Sequence, residues 1–179
     1  LLENLLRWTR NQNGKTKIYA TLFNLTPVAR QVVSLFSAIA NAKEIELINR
    51  IEGKFDIFAD EDMIKTVLRN LISNAIKFTY TGGQVELSLA DSGDCWTIYV
   101  KDNGKGIPKD LQTHLLKSDE YITTYGTHNE KGSGLGLILC RDFIRMNKGK
   151  LHFCSQEGIG TTFYFTIPKA SSSAKAASR

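Results

Sequence analysis

Three groups of residues in this sequence have the types and spacing to do chemistry. Asn70, Asn74 and Lys77 recur at helical intervals within N-L-I-S-N-A-I-K-F. At about 100° per residue they share a polar stripe beside an apolar face of Ile64, Val67, Leu68, Leu71 and Ala75. Asparagine is a poor helix former, so its return at i, i+4 needs a reason. One reason is local contact between each amide and its own backbone. The other is a hard oxygen ligand: magnesium takes one or two protein ligands and completes its octahedron with phosphates and waters.

The second group is Lys101-Asp102-Asn103-Gly104-Lys105-Gly106-Ile107, where an apolar strand stops. A carboxylate there sits at a pocket edge beside exposed backbone, and a plain turn accounts for the same residues. A buried carboxylate can accept a hydrogen bond from the exocyclic amine of adenine. Guanine would oppose a carbonyl oxygen to it, at a cost of about 1–3 kcal/mol or more. The third group is Gly132-Ser133-Gly134-Leu135-Gly136-Leu137, just before a helix. Glycines admit phosphate oxygens to the backbone, and a helix N-terminus offers free N–H groups and positive potential. A loop that merely turns the chain is the competing reading. The spacing is neither G-x-G-x-x-G nor a P-loop, since Lys131 and Gly132 stand in the wrong order for the latter.

The elements that must position these groups follow from periodicity and punctuation. Asp60 is a good N-cap for the asparagine helix, which runs to about Phe78. A strand over 20–25 precedes a helix from Thr26, with Pro27 in the favoured first position. Short strands fall at 46–51 and 55–59, and V-E-L-S-L with W-T-I-Y-V forms a hairpin through Asp91 to Asp94. A stretch over 108–131 has few apolar residues and leads to a helix over 135–146. Strands at 151–154 and 162–167 close the domain. The pattern predicts an α/β two-layer sandwich, one mixed sheet with helices on one face.

At 179 residues the chain has the size of one domain, with an ordinary globular mixture of 42% hydrophobic and 23% charged residues. No apolar run approaches the roughly 20 residues of a membrane-spanning helix, and no signal peptide opens the sequence. The net charge of +5 is scattered rather than clustered, which argues against a nucleic-acid partner. Cys95, Cys140 and Cys154 lie in apolar stretches without a C-x-x-C pair and read as reduced, buried thiols. His114, His128 and His152 lack metal-ligand spacing and read as incidental. Residues 1–14 read as the end of a helix whose apolar face wants a partner, residues 15–169 as the domain, and residues 170–179 as a flexible tail, linker or cloning remnant.

Taken in order, N-L-I-S-N-A-I-K-F-T, D-N-G-K-G-I and G-S-G-L-G-L resemble the ATP-binding catalytic domain of sensor histidine kinases. That domain belongs to a wider ATPase group with DNA gyrase, MutL proteins and the ninety-kilodalton heat-shock chaperones. The resemblance covers about 22–168 and implies the Bergerat-type ATP-binding fold.

The resemblance also implies roles. Asn74 would coordinate magnesium with Asn70 nearby, Lys77 would meet the phosphates, and Phe78 would lie beside the adenine. Asp102 would bind the adenine amine, with Gly104 and Gly106 shaping its turn. Lys131, Gly132, Gly134, Leu135 and Gly136 would lie on the phosphate side, and 119–131 resembles a mobile lid. Gly160-Thr161-Thr162 is similar to the last glycine-threonine box, with Thr162 facing ATP.

Residues 1–14 look like the second dimerisation helix of a homodimer, whose first helix would carry the phosphoacceptor histidine. No histidine here stands in that context, so the chain is expected to hold ATP and Mg²⁺ and to need that helix for transfer. The phosphate would pass to the receiver domain of a response regulator. The domain would be cytoplasmic, its parent open to membrane anchoring. The sequence departs from the family at Leu115 and Leu116, where a phenylalanine is expected. A nucleotide sensor without transfer activity is a second reading. A hydrolytic ATPase of the wider group is a third, disfavoured because Asn70 stands where those proteins carry a catalytic glutamate.

Overall fold

The computed structural model describes residues 17–115, 126–128, 130 and 134–169. The helix expected over 1–14, the tail over 170–179 and most of 119–131 lie outside the described residues. Strand β1 (Thr21–Asn24) leads into α1 (Leu25–Ala42), then β2 (Glu46–Asn49), β3 (Asp56–Ala59) and α2 (Glu61–Phe78). The hairpin β4 (Gln84–Ser92) and β5 (Cys95–Asp102) follows. After it come the short α3 (Lys109–Gln112), α4 (Leu135–Met146), β6 (Leu151–Gln156) and β7 (Gly160–Pro168).

The main sheet has the order β2-β4-β5-β7-β6 and is mixed, with β2 parallel to β4 and the other pairs antiparallel. One face carries Val85, Leu87, Ile98, Val100, Phe163, Phe165 and Ile167 into a single core with the apolar faces of α1, α2 and α4. On the other face the rings of Tyr99, Tyr164 and His152 stack in a row, with centroids 5.6 and 5.3 Å apart. The two-layer arrangement is the one expected.

The strands do not form one sheet, however. β1 and β3 make a separate antiparallel ribbon, Thr21 opposite Ala59 and Asn24 opposite Asp56. Four-residue strands state their own periodicity but not their partner, and this pairing spans more than thirty residues of sequence. The first long helix also starts earlier than Pro27 implies. Asn24 is its N-cap, accepting from Thr26 N at 3.2 Å, which leaves Pro27 elsewhere in the first turn, where a missing N–H still costs nothing. Of the cysteines only Cys140 is buried; Cys154 is exposed and Cys95 is intermediate.

Two ties set the spacing of α2 and α4. Asp60 caps α2 by accepting from Met63 N at 3.1 Å. Its own N–H donates to Oδ1 of the buried Asn147, just past the end of α4, at 2.7 Å. At the other end, a Cβ on Gly136 would stand 3.0 Å from Asn70 Oδ1, so only glycine lets the helices meet there without displacing that amide. No described helix is long and apolar enough to cross a membrane.

Candidate functional site

The C-terminal half of α2, the end of β5 and the start of α4 converge on a cavity of about 560 Å³. From α2 come Asn70, Ser73, Asn74, Lys77 and Phe78, from β5 Asp102, and from the start of α4 Gly134 and Gly136. Ile107, Pro108, Leu111 and Leu115 add an apolar wall. A site that is mostly apolar with a few convergent polar groups suits a small organic ligand.

Asp102 is only 6% exposed. Its Oδ1 accepts from Gly104 N at 2.9 Å and Thr161 N at 3.2 Å. Among the described residues no group donates to Oδ2, and Asp102 is one of the residues that line the cavity. Burial pushes this carboxyl up to about 6, against the two backbone bonds that favour its charge. The loop that follows is fixed to α2 and to the β6–β7 turn. Lys105 N donates to Phe78 O at 3.0 Å, and Gly158 N donates to Lys105 O at 2.7 Å. Gly104 packs so closely on the Phe78 carbonyl that a Cβ would collide with it. Gly106 has φ +67°, a conformation that glycine adopts without strain.

The two asparagines differ in their contacts. Asn70 Nδ2 donates back to Thr66 O at 2.9 Å, a local backbone contact. The Asn74 amide lines the cavity, and no hydrogen bond ties it to another described residue. Two ammonium groups lie over the Phe78 ring, Lys77 Nζ at 4.6 Å and Lys105 Nζ at 5.1 Å from its centroid. Burial lowers the Lys77 pKa, Glu130 opposes that and Lys105 reinforces it. Gly134 begins α4 at φ +72°, with no side-chain cap among the described residues, and Gly134, Gly136 and Leu137 of this turn line the cavity.

Eight of the expected residues line the cavity: Asn70, Asn74, Lys77, Phe78, Asp102, Gly106, Gly134 and Gly136. Gly104 and Leu135 are not among the lining residues. Lys131 and Gly132 lie outside the described residues. Thr162 is on the opposite face of β7, opposite Lys101 and Cys154 in the sheet, and Thr161 takes the cavity position beside Asp102. Strand alternation carries that information: Phe163, Phe165 and Ile167 face the core, so Thr161 does too. Lys105 and Glu157 also join the wall without having been singled out, and Lys105 already stood inside the D-x-G-x-G motif.

A family model described as histidine kinase-, DNA gyrase B-, and HSP90-like ATPase matches residues 59–171, from the end of β3 past the last strand. The chain belongs to this ATPase family. Among curated members, the adaptive-response sensory kinase SasA of Crocosphaera subtropica is 30% identical over 170 residues, 94% of this chain and 44% of that protein. The circadian input-output histidine kinase CikA of Synechococcus elongatus is 31% identical over 172 residues, 94% of this chain and 23% of that protein. The chain thus spans less than half of either relative. Among solved structures, the catalytic domain of histidine kinase ThkA superposes with a TM-score of 0.71 at 31% identity, covering 84% of this chain and 96% of that one. Full-length ShkA in complex with AMPPNP gives 0.78 at 27% identity, covering 93% and 35%.

Proposed function

We propose that this chain is the ATP- and Mg²⁺-binding catalytic domain of a sensor histidine kinase. It donates the γ-phosphate to a histidine on a dimerisation helix outside this sequence, for onward transfer to a response regulator. The observation that carries the reading is Asp102, buried at the cavity edge with Oδ1 doubly bonded and Oδ2 left for a donor in the cavity. Two relatives of the same fold support it: ShkA has been solved with AMPPNP, and ThkA with the response regulator protein TrrA.

Asp102 Oδ2 accepts the adenine amine and rejects a base that presents a carbonyl there. The N–H groups at the start of α4 and the ammoniums of Lys77 and Lys105 receive the phosphates. Asn74 supplies one neutral oxygen to Mg²⁺. A single amide oxygen suits a cation whose remaining ligands are phosphates and waters. When bound, Mg²⁺ neutralises charge on the phosphates.

Transfer needs in-line positioning more than covalent help from the protein. Asn70 is an amide that cannot accept a proton, and its Nδ2 is committed to Thr66 O, which disfavours hydrolysis. An ATP-consuming domain of this kind works on the cytoplasmic side, whether or not its parent is anchored in a membrane.

Titration calorimetry with ATP and GTP, with and without Mg²⁺, tests the reading. ATP should bind more tightly than GTP, and Mg²⁺ should strengthen the binding of ATP. Equal affinity for the two nucleotides would overturn the role of Asp102.

A further inference from the structure

The last turn of α2 ends in carbonyls that no helix can satisfy internally. Here they are met from two distant parts of the chain. The ammonium of Lys43, the residue that ends α1, is buried and donates to Ile76 O at 2.9 Å, to Lys77 O at 3.0 Å and to Glu130 Oε1 at 2.9 Å. All three of its protons are thereby used. Thr127 donates its N–H to Lys77 O at 3.0 Å and its hydroxyl to Thr79 O at 2.8 Å. Glu130 organises the same short stretch, for its Oε2 accepts from His128 N at 2.8 Å and its carbonyl from Gly126 N at 3.0 Å. Gly126 in turn packs on the Lys77 stem: a Cβ there would stand 2.6 Å from Lys77 Cγ. Lys77 is therefore bracketed, with this clip against its stem and its ammonium over Phe78.

We propose that Lys43 and Glu130 are positioning residues of the nucleotide site, whose ion pair clips Gly126, Thr127, His128 and Glu130 onto the end of α2 and so holds Lys77 at the phosphate side of the cavity. The proposal rests on the nucleotide reading given above. An exposed ion pair holds little energy, but this one joins a buried ammonium whose other two acceptors are helix-terminal carbonyls. Removing the Glu130 charge leaves the fold and Asp102 untouched while loosening the clip beside Lys77. The base and the phosphates then respond differently, which a general loss of packing would not produce.

The test compares the wild-type chain with Glu130→Gln, Glu130→Asp and Lys43→Met by calorimetric titration with Mg-ATP and with adenosine, alongside thermal unfolding without ligand. Glu130→Gln should lower Mg-ATP affinity about tenfold with adenosine affinity and melting temperature little changed, as expected for a coupling of ordinary size. Glu130→Asp should recover part of the loss. Lys43→Met also strips two carbonyls of their donor, so it should lower the melting temperature as well as Mg-ATP affinity. Equal losses for adenosine and Mg-ATP in Glu130→Gln, or no loss of Mg-ATP affinity, would overturn the proposal. A wild-type chain that binds neither ligand would instead sink the nucleotide reading on which it rests.

Discussion

Burial opposes the ionisation of Asp102, and the consequence differs for stability and for binding. Its pKa is raised from 3.8 to about 6 in the folded chain, so between those pH values the folded state binds more protons than the unfolded one. Stability therefore falls as pH rises through that window, and the penalty is complete above about pH 6. Asp102→Asn removes the penalty while keeping an oxygen for Gly104 N and Thr161 N. The ligand-free variant should be more stable at pH 7.5 by about 1–3 kcal/mol, the gap closing below pH 4, as urea titrations would show. The same variant should lose about tenfold or more in ATP affinity, because an amide can turn its donor toward the adenine amine. A variant that is less stable at pH 7.5 would contradict the account.

If Asp102 selects the base as proposed, its raised pKa makes that selection depend on pH. Ionised, it accepts from adenine only; protonated, it can donate to the guanine carbonyl. The ratio of ATP to GTP affinity should therefore be largest above pH 6 and shrink as pH falls through it. Taking the ratio cancels the titration of the phosphates, which both nucleotides share. A ratio constant from pH 5 to 8 would remove Asp102 from base selection.

At the scale of elements, the asparagine helix and the glycine helix form one antiparallel pair, joined near the site by Asn70 and Gly136 and far from it by Asp60 and Asn147. Asn147 Nδ2 also donates to Phe143 O at 2.8 Å. Asn147→Ala would leave the Asp60 N–H buried without an acceptor, costing about 1–3 kcal/mol of stability. ATP affinity measured well below the melting temperature should change much less, because the damage lies at the far end of the pair. Equal damage to binding and stability would mean that the distal tie sets the site geometry too.

Both helices were legible in the sequence, since Asp60 and Gly134 mark their starts and their apolar periods are unbroken. The ribbon was not, because short strands leave their partners open. The placement of Thr161 was readable from strand alternation, against the likeness to a family box that pointed to Thr162. The Lys43–Glu130 pair had no local signal, since 87 residues separate its members.

For the whole molecule, the proposed reading has the cavity gather groups that would recognise a base and phosphates, with Asn70, an amide bonded to Thr66 O, offering water no proton acceptor. On the proposed reading the chain is one half of an active site, to be completed by a histidine carried elsewhere. Alone, it should bind Mg-ATP and turn it over very slowly. With the acceptor helix of its own parent protein supplied in trans, radiolabelled ATP should label that histidine only when Mg²⁺ is present. Asn74→Asp should cut this labelling about a hundredfold and shift its Mg²⁺ dependence, the loss typical of removing one group that neutralises charge in the transition state. Asp102→Asn should act differently, raising the ATP concentration needed while leaving the rate at saturation closer to wild type. Steady-state hydrolysis as fast as labelling would restore the hydrolytic reading. Nucleotide binding without transfer to any supplied histidine would instead leave a sensor of ATP.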